Sequence, residues 1–128
     1  MKNYFLTIVI LLFISGCYRV GHEDFVDIEN GMIGGRVMHY KPFKDKDAGK
    51  LRRGKDVIEG QGFTHITKMK NGDLVHHWSY QEILPSFSGN KKWIGKCLVY
   101  QIIDGKTGVV KSWGFDKGGN PLSCRSWS

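Results

Sequence analysis

The chain has 128 residues and a formal net charge of +7 at pH 7, with 41% of its residues hydrophobic and 24% charged. That length supplies one modest core and excludes a second domain of ordinary size. The basic excess comes without a groove-reading motif or an RNA-binding signature, so it does not point to nucleic acid.

The first element is a leader. Lys2 precedes an apolar run over residues 5–14 in which Thr7 is the one polar residue, followed by Ile14-Ser15-Gly16-Cys17. A basic tip, a short apolar stretch and small residues at the end make a secretory signal over residues 1–16. The run stops at Gly16, short of the roughly 20 residues that an anchor helix needs. The small-small-Cys ending resembles the lipobox of bacterial lipoproteins. The resemblance implies that the Cys17 thiol receives diacylglycerol, that the chain is cut before it, and that the freed amine is acylated. Each buried methylene contributes about 0.8 kcal/mol, so two or three chains hold a protein where one binds reversibly. In such lipoproteins Asp after the cysteine favours the inner membrane; Tyr18 stands there, which implies the outer membrane, facing the periplasm. The layout is then signal 1–16, lipidated tether 17–22 and a single α+β domain 23–128. Loss of the leader removes Lys2 and no acid, which lowers the net charge by one to +6. Outside the cytoplasm this favours anionic lipid or an acidic envelope protein as the partner.

Residues 23–33 place Phe25, Ile28 and Met32 at helical spacing, with Glu23 and Asp24 suited to the helix N-terminus. A short helix ending at Gly34-Gly35 is predicted. Residues 41–55 carry seven basic residues against two acids. They read as an exposed loop, with Lys44, Lys50, Arg52 and Arg53 as a candidate binding surface.

Two hairpins follow. Residues 63–70 and 73–80 flank Asn71-Gly72, a strong signal for a two-residue type I′ turn. With Lys70 opposite Asp73, the core face would hold Phe63, His65, Thr67, Met69, Leu74, His76, Trp78 and Tyr80, and the other face Thr64, Ile66, Lys68, Val75, His77 and Ser79. After an irregular connection over residues 83–92, strands at 93–103 and 109–115 are joined by the Gly-containing loop 104–108. The fold class is α+β: a short N-terminal helix, then a four-stranded antiparallel sheet of two hairpins.

With Cys17 taken by lipid, Cys97 and Cys124 form an even pair in an oxidising space, and a disulfide is the natural reading. It would clip the tail, residues 120–128, onto the strand of Cys97, and in the chain-entropy model contributes about 3.5 kcal/mol. A free buried thiol pair and a zinc site are the alternatives, the latter weakened by the lack of closely spaced ligand pairs.

Chemistry-bearing patterns are sparse. His65 and His76 would share a face, with no Asp, Glu or Cys beside them to complete a metal site. Glu59, Glu82, Asp104 and Asp116 are scattered, and no nucleophile elbow, His-Glu-x-x-His or phosphate-cradling loop occurs. The sequence therefore predicts no enzyme, no metal and no cofactor. Trp78, Tyr80, Trp93, Tyr100, Trp113 and Phe115 exceed what one sheet face can bury under one helix, so some are left for solvent, a partner or a membrane.

Met32-Ile33-Gly34-Gly35-Arg36, the strand Lys96-Cys97-Leu98-Val99-Tyr100, the turn Asp104-Gly105-Lys106-Thr107-Gly108, Lys111-Ser112-Trp113 and Asn120-Pro121-Leu122-Ser123-Cys124 together resemble small lipoproteins of Gram-negative envelopes. More distantly, the helix-then-sheet order is similar to the SmpA/OmlA lipoproteins of the outer-membrane barrel-assembly machine, which have two helices where one is predicted here. The resemblance implies a non-enzymatic binding or accessory subunit, held by its N-terminal lipid and contacting an envelope protein or anionic lipid. An inhibitor or immunity lipoprotein against a cell-wall hydrolase or toxin, and a secretion-apparatus accessory lipoprotein, are the alternatives.

Overall fold

The computed structural model describes residues 20–37 and 56–127. Helix α1, His22–Met32, starts without a side-chain cap; Glu23 and Asp24 in its first turn complement the helix dipole instead. It ends where Ile33 leaves helical geometry, its N–H donating to the Asn30 carbonyl, and Gly34 turns the chain at φ +88°. One face of α1 is buried through Phe25 and Glu29, while Ile28 and Met32 are exposed. The stripe Phe25–Ile28–Met32 is thus only one-third core. Glu29 takes the inward position one turn after Phe25 because residues at i and i+4 share a face.

Four strands form a meander in the order β1-β2-β3-β4: β1 Val57–Lys68, β2 Leu74–Ile83, β3 Gly95–Ile103 and β4 Val110–Phe115. All neighbours are antiparallel. The first hairpin closes one residue away from the expected register. Met69 pairs with Asp73 through an N–H···O contact of 2.8 Å, leaving a three-residue loop, Lys70-Asn71-Gly72, in which Gly72 adopts φ +93°. Asn71 and Asp73 brace this loop through each other's side chains. A three-residue loop with glycine in the left-handed region is the alternative to the two-residue turn that Asn-Gly suggested. Its consequence is that His65 pairs with His77, Ile66 with His76 and Thr67 with Val75. His65 and Thr67 therefore belong to the face opposite that of His76 and Trp78, a correction to the expected core set, because a slip of one residue exchanges faces. An irregularity between Phe63 and His65 then pairs Phe63 with Trp78.

The second hairpin turns at Asp104, whose carboxylate accepts the N–H groups of Lys106 and Thr107, and Gly108 closes it at φ +73°. These backbone donors hold the Asp104 carboxyl below its ordinary range. The two hairpin tips touch. Asp73 accepts from Lys111 Nζ at 2.7 Å and from the Gly105 N–H at 3.4 Å, and hydrogen bonding to Lys111 holds the Asp73 carboxyl low.

The core lies between α1 and the front of the sheet. Phe25, Cys97, Val99 and Cys124 are buried there, with Trp78, Tyr80, Trp113 and Phe115 packed around them. Phe25 meets Tyr80 and Trp113 edge-on, and Trp113 meets Phe115 edge-on, the arrangement that aromatic quadrupoles favour. Cys97 and Cys124 form a disulfide across a separation of 27 residues. Around it the tail is held by Asn120, which donates to the Lys92 and Ile94 carbonyls at 2.8 Å each, and by Gln81, which donates to the Ser123 carbonyl. Gly21 and Ser126 then pair through their backbones, so the start of α1 is bonded to the tail.

Candidate ligand groove

The segment after α1 crosses to the free edge of β4. Gly34 donates to the Val110 carbonyl at 2.8 Å, Val110 donates to that of Gly35 at 2.9 Å and Val37 to that of Gly108 at 3.0 Å, with Arg36 bridged to Val109. Among α1, this crossing and the front of the sheet lies an open groove of about 440 Å³. Gly31, Met32, Gly35 and Val37 form one wall, with Val110 at the sheet edge and Trp78, Tyr80 and Gln101 as the floor. That volume falls in the usual range for small-molecule sites. Arg36 is the one charged residue among the described residues that line it.

A buried polar group lies between α1 and the floor. Glu29 is only 2% exposed; one carboxylate oxygen accepts from the Tyr80 hydroxyl at 2.9 Å and the other from Gln101 Nε2 at 3.2 Å. Burial pushes the Glu29 carboxyl above its ordinary range, and these two hydrogen bonds offset part of that rise. Burial and the neighbouring carboxylate push the Tyr80 phenol up in turn. The Tyr80 hydroxyl and the Gln101 amide are thus engaged with Glu29, the amide nitrogen also lying 3.5 Å from Met32 Sδ, and most of the remaining lining is aromatic and aliphatic.

The back of the sheet carries a second constellation. His77 Nδ1 is bonded to Asp116 Oδ2, and its Nε2 lies 2.9 Å from the Thr67 hydroxyl. His65 stacks on His77 with centroids 4.1 Å apart and planes 5° apart, and its Nδ1 lies 2.9 Å from the Thr64 hydroxyl. The expected sharing of a face by His65 and His76 is corrected here: His76 is buried on the front face, opposite Ile66. The carboxylate on the back face, Asp116, reaches His77 from the end of β4. Both ring nitrogens of His77 are engaged within the protein, which fits a hydrogen-bonded structural histidine. Among the described residues no group of three or more His, Cys, Asp or Glu side chains is arranged to hold a metal ion.

Of the residues singled out by sequence, Cys97 and Cys124 are joined as expected. Cys17, Lys44, Lys50, Arg52 and Arg53 lie outside the described residues. Trp93 belongs to the tail contact: Arg125 lies over its ring at 3.6 Å, and Trp127 packs against its edge. Sequence reasoning missed Glu29 and Gln101. The i, i+4 spacing from Phe25 carried a signal for Glu29, whereas Gln101 has only its alternation with Val99 and Ile103.

No protein-family model matches the chain, and no curated protein or solved structure shows significant similarity to it.

Proposed function

We propose that this is a lipid-anchored binding protein of the bacterial envelope, without chemistry of its own, whose front groove is the receiving surface. The carrying observation is the groove itself: a small-molecule-sized opening with an aromatic floor, beside an α1 whose N-terminus follows Cys17 within a few residues. The small-small-Cys sequence supports acylation at Cys17 and an outer-membrane, periplasm-facing address. Among the described residues no helix is long and apolar enough to cross a membrane. Attachment in this reading falls to the N-terminal lipid.

Metabolic labelling with an alkyne-bearing palmitate tests the anchor. The native protein should carry label and sediment with outer membranes, whereas Cys17→Ala should lose both. Equal labelling of the two proteins would refute the anchor. Mild crosslinking in intact cells then tests the binding role. A defined envelope component should be captured by the native protein and lost when the groove is filled by Met32→Trp; capture unaffected by that change would place binding elsewhere.

A further inference from the structure

We propose that the groove binds a single-chain anionic amphiphile, its hydrocarbon lying over Trp78, Tyr80 and Val110 and its acidic head against the Arg36 guanidinium. The proposal rests on the reading of the groove as the receiving surface and names what it receives.

The floor selects for hydrocarbon. Tyr80 and Gln101 donate to Glu29, so neither has that hydrogen available for a ligand. Gln101 Nε2 also meets Met32 Sδ at 3.5 Å, so a hydrogen-bond acceptor set over Tyr80 and Gln101 would lose water without gaining their hydrogens, a penalty that an alkyl chain does not incur. Met32 at the wall is 42% exposed and Ile33 beside it 45% exposed, which continues the apolar surface beyond the opening. Unbranched, polarisable methionine side chains adapt to chains of varied shape.

Charge sets the polarity and orientation of the ligand. Arg36 is the one charged residue among the described lining, and it is exposed. The crossing segment offers no amide nest, because the N–H groups of Gly34, Gly35 and Val37 donate to the Val110, Met32 and Gly108 carbonyls. Recognition of an anion therefore falls to the guanidinium, which suits a carboxylate or phosphate oxygen pair. Both Glu29 oxygens accept from the floor side chains, so nothing at that end pairs with an acidic head, which lies at the Arg36 end while the chain runs inward. A cationic amphiphile has no carboxylate to meet in the described lining.

The test uses the mature lipidated protein in vesicles of zwitterionic phosphatidylcholine and dodecanoic acid bearing a diazirine on its chain. Saturable adducts are expected on the peptides that carry Met32 and Trp78–Tyr80, and unlabelled dodecanoate should compete them. The neutral dodecanol analogue should need about three to five times the concentration, the preference that one rim ion pair supports. Arg36→Gln should abolish that preference and keep the adducts. Met32→Trp should abolish the adducts while leaving the circular dichroism spectrum unchanged. Equal labelling by acid, alcohol and a trimethylammonium analogue would overturn the anionic assignment and leave the groove as an apolar site. Absence of saturable labelling with all three would overturn this proposal and the groove reading together, while palmitate labelling would still report the anchor separately.

Discussion

Removing the cross-link should cost this domain a large share of its stability. Cys97 and Cys124 close a loop across 27 residues and are both fully buried beside Phe25 and Val99. Loop closure in the unfolded chain gives about 3.5 kcal/mol in the chain-entropy model. Against the roughly 5–15 kcal/mol that holds a small domain together, this is a quarter to a half or more. At roughly 4–6 °C per kcal/mol for a domain near 100 residues, Cys97→Ala/Cys124→Ala should melt about 15–20 °C below the native protein. Thermal unfolding followed by circular dichroism reads this directly. A parallel sample, unfolded and refolded in dithiothreitol, keeps both sulfur atoms and removes only the bond. It should show most of the loss, with the double variant slightly lower because two buried sulfur atoms are also missing. A reduced protein melting within 5 °C of the oxidised one would refute the loop-closure argument. It would place the tail's stability in the Asn120 and Gln81 hydrogen bonds instead.

Four further substitutions probe the site, the hairpin tips and the helix. Glu29 has its carboxyl raised by burial, so between its ordinary value of 4.5 and its native value the folded chain holds a proton that the unfolded chain has lost. Stability therefore falls as pH rises through that window, and Glu29→Gln should remove this fall when urea unfolding is compared from pH 4 to pH 8; an unchanged pH slope would contradict it. Tyr80→Phe takes a donor from the buried carboxylate and should cost about 1–3 kcal/mol in the same assay. The lost hydrogen bond would also raise the Glu29 carboxyl further and widen its pH window. A Cβ on Gly105 would lie 2.1 Å from the Gly72 carbonyl oxygen, backbone that cannot swing aside. Gly105→Ala should then lower stability by about 1–3 kcal/mol, whereas Gly31→Ala, helical and open, should raise it by about 0.5–1 kcal/mol; equal effects would mean that the tips do not constrain each other.

The fold class was legible because its signals are local. Glu23 and Asp24 followed by Gly34-Gly35 bracket α1, and Asn71-Gly72 and Gly105-Gly108 mark the two turns. Register was not legible, because the choice between a two-residue and a three-residue loop at Asn71-Gly72 depends on Asp73, which is drawn to Lys111 and Gly105 from the other hairpin. That single step moved His65 from beside Trp78 to its stack on His77. The groove was less legible still. It arises where residues 34–37 cross to Val109 and Val110, a long-range pairing with no periodicity of its own. Glu29 shows the same limit: alternation and helical spacing assign a face, while its partners Tyr80 and Gln101 come from strands 51 and 72 residues away.

The backbone pairing of Gly21 with Ser126 also sets how the domain carries mechanical load. Tension applied to the chain ahead of Gly21 meets two reciprocal N–H···O bonds to Ser126, of 3.0 and 3.1 Å, before it reaches α1. His22 adds a ring contact to the Cys124 carbonyl at 3.0 Å, and Asp24 accepts from the Ser126 hydroxyl. From Cys124 the load passes covalently into Cys97 and the middle of the sheet. A tug on the N-terminus is thereby shared with β3, and the helix need not unravel first. A domain held at one end in a moving surface would keep its groove in shape for as long as that clasp stays closed.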